Sequence, residues 1–166
     1  QRQQIKIMFK TMIGKDLIKE LKSELGGRFE DVIVALMETP EHYDAICLRN
    51  AISGAGTDEA CLIETLSTRT NAQIAGIKAT YKTLFKRDLE KDLASDTSGH
   101  FKRLMVALSA GGRNENQAPD PGKAQRDAQE LYSAGEKRWG TDESKFNSIL
   151  CSQSHEQLRL VFDEYK

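Results

Sequence analysis

Two glycines one residue apart, Gly54 and Gly56, lie in the stretch Ser53-Gly54-Ala55-Gly56-Thr57-Asp58-Glu59, and an acid, Asp96, follows downstream. Glycine adopts backbone angles that other residues avoid, so a loop with glycine at alternate positions can turn its carbonyl oxygens towards one point. Converging carbonyls suit a hard cation. Ca²⁺ takes about six to eight oxygens and wants at least one carboxylate, commonly bidentate. The natural donor is Asp96, placed between two short helical patterns, and its counterpart in an internal repeat is Glu24. A shift of about 72 residues lays Ile5-Lys6 on Ile77-Lys78, Asp16-Leu17 on Asp88-Leu89, Ser23-Glu24 on Ser95-Asp96 and Val34-Ala35-Leu36 on Val106-Ala107-Leu108. An acid therefore recurs at one place while its neighbours, Lys22/Ala94 and Leu25/Thr97, differ. The turn recurs too, one residue longer, as Gly135-Glu136-Lys137-Arg138-Trp139-Gly140-Thr141-Asp142-Glu143.

The charge count bears on mechanism. Neutral carbonyls and one carboxylate leave a bound Ca²⁺ with net positive charge and unfilled positions, so a lone site belongs at the low-affinity end of the scale. A phosphate on a membrane surface would supply both the missing oxygen and the missing charge, and several such sites on one face would add by avidity. A purely structural role as a helix end explains Asp96 and Glu24 less well, because an acid there opposes the helix dipole.

The elements that must position these residues are helical throughout. Apolar residues Ile5, Met8, Phe9 and Met12 predict a helix over residues 2–13 that Gly14 ends. Residues 16–25 read as a short helix closed by Gly26-Gly27, and Phe29, Val32, Ile33 and Leu36 as a third apolar stripe that stops before Pro40. A complete unit follows. Its first helix spans residues 43–52 with Ala45, Leu48 and Ile52 inward, and its second spans 58–67 with Leu62, Ile63 and Leu66 inward and Thr57 as N-cap. A Thr70/Gln73 capping box opens a third helix carrying Ile74, Ile77, Tyr81 and Leu84, and residues 88–95 and 101–109 repeat the earlier short helix and stripe. Residues 111–122 hold Pro119 and Pro121 without apolar periodicity and read as a linker. Beyond it, helices over 123–134 and 142–151 precede one opened by a Ser154/Gln157 capping box. The fold class is all-α, built as stacked five-helix repeats: part of a first over 1–39, a complete second over 40–110 and part of a third over 123–166.

Composition excludes other classes. A chain of 166 residues with 39% hydrophobic and 30% charged residues can bury a core, and a net charge of −1 argues against a nucleic-acid partner. Cys47, Cys61 and Cys151 lack metal-type spacing and read as reduced thiols of a cytoplasmic protein. No apolar run approaches the roughly 20 residues of a membrane span, so a membrane would be met from the water side, as a reversible peripheral contact. His42, His100 and His155 are scattered, no nucleophile has a base, and Gly54 to Thr57 lacks the phosphate-loop lysine. No enzyme is expected.

The stretch from Ser53 to Arg69, together with Lys-Ser-Glu-Leu at 22–25 and Asp-Thr-Ser-Gly at 96–99, resembles the signature of the annexins over essentially the whole chain. That resemblance implies repeats wound into a right-handed superhelix and calcium-dependent binding to acidic phospholipid, such as phosphatidylserine. It implies a Ca²⁺ site from the carbonyls of Ile52, Gly54 and Gly56 with the carboxylate of Asp96, and a minor neighbouring ion at Thr57 and Glu59. In the third unit Gly135, Arg138 and Gly140 match the carbonyl donors, and Trp139 matches an aromatic that meets the lipid interface. Against the family pattern the core is incomplete. Glu24 has no loop to complete and Gly140 no downstream acid, Ser53 replaces a basic residue, and Gln153 stands where the signature usually ends in arginine. Two other classes remain: a helical scaffold for protein partners whose glycine turns are only connectors, and a self-associating module whose uncovered apolar faces meet another copy.

Overall fold

The computed structural model describes residues 1–166 as eleven α-helices with no strand: α1 Arg2–Ile13, α2 Leu17–Glu24, α3 Gly27–Met37, α4 Pro40–Ala51, α5 Glu59–Thr68, α6 Asn71–Phe85, α7 Leu89–Asp96, α8 Gly99–Ser109, α9 Pro121–Ala134, α10 Glu143–Ser152 and α11 His155–Tyr165. Short polar side chains start most of them. Asp16, Thr39, Asp58, Thr70, Asp88, Asp120, Asp142 and Ser154 each accept a hydrogen bond from a backbone N–H of the first turn, a contribution of about 1 kcal/mol apiece. Pro40 and Pro121 occupy first-turn positions of α4 and α9, where the missing N–H costs nothing. Hence α4 begins at Pro40, three residues before the expected start at 43, and the last two residues of the expected linker are already helical.

Packing sorts the helices into three groups. α1, α2 and α3 touch one another, α4 to α8 surround one core, and α9 packs on α10 and α11. The central core is built from Leu48, Leu62, Leu66, Ile77, Tyr81, Leu93 and Met105 with their neighbours, and the smaller third core from Ala124, Leu131, Ile149 and Val161. α10 also packs on α8, and Cys151 lies against the central core. The three cysteines are unpaired, and burial pushes each thiol above its ordinary value.

Several local expectations are corrected. Asp58, not Thr57, caps α5, accepting from the Cys61 N–H at 3.0 Å. Ser154 caps α11, but Gln157 does not close the box, because its side chain accepts from Asp120 N at 2.7 Å and donates to Asp120 O at 3.0 Å. Ile63 and Leu84 are exposed, and Thr65 takes an inward position on α5. Gly26 precedes α3 as its N-cap while the extended Leu25 ends α2. Phe29, Val32 and Leu36 face outward on α3. The segment 111–120 is tied down at both ends: near its start the Asn71 side chain brackets the Arg113 backbone and Arg113 Nη1 donates to the carbonyls of Leu150 and Gln153 at 2.7 and 2.9 Å, and at its end the Asp120 backbone is held by the Gln157 side chain.

Candidate functional site

The glycine loop is held as a closed excursion between α4 and α5. The Asp58 N–H donates to the carbonyl of Ala51 at 2.8 Å, so the intervening residues bulge outward from a pinched base. Gly54 and Gly56 have φ of 101° and 93°, a conformation that β-carbon sterics deny most residues. A Cβ at either would meet nothing within 4 Å, so the backbone angle and not crowding selects glycine. Ile52 ends α4 with its side chain buried, while Ser53 to Gly56 are exposed. The loop therefore stands on a packed base with its backbone open to water.

Asp96 is the last residue of α7, and the structure brings it to this loop. Thr57 Oγ1 donates to Asp96 Oδ2 at 2.7 Å across a separation of 39 residues. The hydroxyl that sequence assigned to a helix cap instead fixes a carboxylate beside the glycine turn. That bond is the test of whether the residues suit a hard cation. One half-buried carboxylate is bonded to the residue that follows Gly56, the carbonyls of residues 52–56 accept no backbone hydrogen bond, and nowhere do three or more His, Cys, Asp or Glu side chains cluster as a metal site. Glu59, the first residue of α5, is exposed beside the loop.

The third loop has the same base. Asp142 N donates to the carbonyl of Ala134 at 2.8 Å, as Asp58 does to Ala51, and Gly140 has φ of 82°. Within it the Arg138 N–H donates to Gly135 O at 3.2 Å, and Arg138 Nη1 lies 3.6 Å from Asp142 Oδ2. Trp139 is fully exposed at the tip, 101% by relative area, with no protein surface to cover it. No counterpart of Asp96 reaches this loop. Glu24 ends α2 as Asp96 ends α7, each followed by a positive-φ glycine, Gly27 and Gly99, but Glu24 is exposed with no glycine loop beside it.

One placement was not visible in sequence. His100 Nε2 on the first turn of α8 lies 3.7 Å from Glu143 Oε2 on the first residue of α10. Asp96 closely precedes His100 and the third loop immediately precedes Glu143, so both loops lie at the end of the molecule where α8 and α10 begin. Nothing in the spacing of His100 and Glu143 signals this, because the pairing is made by α8 packing on α10.

Buried charges elsewhere serve the scaffold. Asp92, 6% exposed, accepts from Tyr81 Oη at 2.8 Å and from Arg87 through two bonds of 2.7 Å, and Arg49 lies 3.4 Å away. The Arg87 guanidinium holds its carboxyl below the usual range, against the opposing effect of burial. Asp44 accepts two bonds from Arg69, at 2.6 and 2.8 Å, clamping the far ends of α4 and α5.

The annexin family model matches residues 1–36, 43–108 and 126–166. The chain belongs to the annexin family. Human annexin A11 is 58% identical over all of this chain, which spans 33% of that protein's length. Among solved structures, annexin III superposes with a TM-score of 0.90 at 46% identity, covering 99% of this chain and 51% of that one. Chicken annexin V in complex with Zn²⁺ gives a TM-score of 0.89 at 45% identity, covering 99% and 52%. This annexin chain thus spans a third to a half of the relatives it matches.

Proposed function

We propose that this annexin chain binds acidic phospholipid surfaces in a calcium-dependent manner, through the loop after α4. The observation that carries it is the Thr57–Asp96 hydrogen bond, which fastens the one carboxylate to a glycine turn 39 residues away. The carbonyls of Ile52, Gly54 and Gly56 and the carboxylate of Asp96 would hold the ion, with Thr57 and Glu59 beside a minor one. Bound there, the ion would supply positive charge to a lipid phosphate. Gly135, Arg138 and Gly140 form a second loop, and Trp139 at its tip enters the headgroup region, where amphipathic rings are favoured. Both loops lie at one end of the molecule, so their contacts add by avidity. The repeats proposed are residues 1–39, 40–110 and 123–166, with 111–122 between them, and Glu24 belongs to the first. No helix is long and apolar enough to cross a membrane. The contact proposed is peripheral and reversible, on the cytoplasmic side. No catalytic activity is proposed.

The test is co-sedimentation with phosphatidylserine vesicles, with phosphatidylcholine vesicles as control, in calcium and in chelator, for the wild type and Asp96→Ala. Calcium-dependent pelleting with phosphatidylserine, weakened by Asp96→Ala, supports the proposal. Pelleting that ignores chelator favours the calcium-independent scaffold. A second reading, self-association, has its own observation: Ile5, Ile7, Met8, Met12 and Ile13 on α1 and Phe29, Val32 and Leu36 on α3 are exposed apolar residues. Light scattering showing a monomer across concentrations would refute it.

A further inference from the structure

The first two helices of the third group, α9 and α10, repeat the arrangement of α4 and α5 with one part missing. Asp44 on α4 and Asp127 on α9 occupy matching positions, each eight residues before the residue that ends its helix, Ile52 or Gly135. Both are buried, 4% and 9% exposed. Arg69 ends α5 and clamps Asp44; Gln153 ends α10 in the matching place, and Asp127 Oδ2 is buried with no hydrogen-bond partner. An unpaired buried carboxylate is costly when ionised, and the cost falls on the packing that buries it.

We propose that the α9–α10 hairpin is an acid-tightened clamp: it is loosened when Asp127 is ionised, because Gln153 offers no guanidinium, and it closes when Asp127 takes a proton. The charged groups facing Asp127 do not substitute for the missing arginine. On its own helix stand Lys123, Arg126 and Glu130, the last opposing ionisation, and from α10 comes Lys145, already 3.0 Å from Glu130. α11 packs on α9 with its buried residues Gln157, Leu158 and Val161, none of them charged. The one arginine at the end of α10, Arg113, donates to the carbonyls of Leu150 and Gln153. Burial accordingly pushes the Asp127 carboxyl above its ordinary value, the largest influence on it. For an acid raised in the folded state, the penalty is full above its folded value and disappears as pH falls through that value towards the unfolded one. The hairpin therefore gains stability on mild acidification. α9 and α10 flank the loop that presents Trp139, so the device acts on that loop, and it is independent of whether calcium binds there.

The experiment follows carboxyl ¹³C shifts of Asp127 through a pH titration, with thermal unfolding at about pH 7.5 and about pH 5 for the wild type, Gln153→Arg and Asp127→Asn. The expected wild-type titration lies above the ordinary aspartate range and drops below it in Gln153→Arg. Both variants should lower the unfolding constant at about pH 7.5, about tenfold for each pKa unit by which Asp127 is raised, with the advantage shrinking at about pH 5. An Asp127 titration in the ordinary range, or variants whose advantage is absent or does not vary with pH, would overturn the proposal.

Discussion

Asp96→Asn isolates the charge of the proposed site from its geometry. The amide keeps the shape and still offers an oxygen to Thr57 Oγ1, now 2.7 Å from Asp96 Oδ2, so the loop and α7 should stay in place. What disappears is one full negative charge at ligand distance. For a divalent ion about 2.4 Å from a carboxylate oxygen in water-like dielectric, the lost Coulomb energy is about 3 kcal/mol. At about 1.4 kcal/mol per decade this is two orders of magnitude in affinity. A carbonyl site with one carboxylate sits near the low-affinity end, so the weakened site falls beyond calorimetric detection, and the calcium midpoint for vesicle binding rises by a similar factor. Calcium titrated into the protein by calorimetry, and pelleting with phosphatidylserine vesicles over a calcium series, read the two effects. Helical circular dichroism must match the wild type. A variant with wild-type dichroism and a calcium midpoint moved by less than about threefold would refute the assignment of Asp96 and the electrostatic argument with it.

Other substitutions probe the scaffold and the lipid contact. Trp139 is the sole tryptophan and fully exposed, so its emission should shift to the blue on binding phosphatidylserine vesicles in calcium, and Trp139→Ser should weaken pelleting; an unmoved spectrum places the residue outside the contact. Arg69→Gln would leave Asp44 buried without its two-bonded partner, at a cost of about 3 kcal/mol by urea unfolding, and a loss below about 1 kcal/mol would show that water replaces the guanidinium. Asp92 is depressed in the folded state, so its contribution is present at neutral pH and is lost as pH falls through its lowered value. Thermal melts should show Asp92→Asn less stable near neutrality, with the difference from wild type narrowing in strong acid; a constant difference would assign the effect to packing.

Much of the architecture was legible before any coordinates. Helix existence followed from the spacing of residues such as Leu48, Leu62 and Ile77, because burial on one face of a helix imposes that period. Thr70 and Gln73 make the reciprocal capping box that their spacing announces. Inward faces were read less well where the apolar stripe is wider than the core: Ile63 and Leu84 belong to their stripes by spacing and to the solvent by packing. Capping failed where another residue made a better offer. Thr57 is a good N-cap by type, yet Asp58 takes the cap and frees the Thr57 hydroxyl for Asp96, while Gln157 is drawn from its own helix to the backbone of Asp120.

By itself, the sequence determined what is local and periodic: eleven helices, the glycine turns whose positive φ only glycine takes without strain, and the acids at the ends of α2 and α7. These are written in neighbouring residues because a helix and a turn are closed by bonds that span only a few positions. Tertiary structure alone decided the pairings made across long separations. It set Thr57 against Asp96, placed His100 beside Glu143 so that two loops lie at one end of the molecule, and buried Asp127 without the arginine that its counterpart Asp44 has. Those outcomes depend on how helices from different parts of the chain cross. A side chain's partner, and the cost of lacking one, are fixed only when that crossing excludes water.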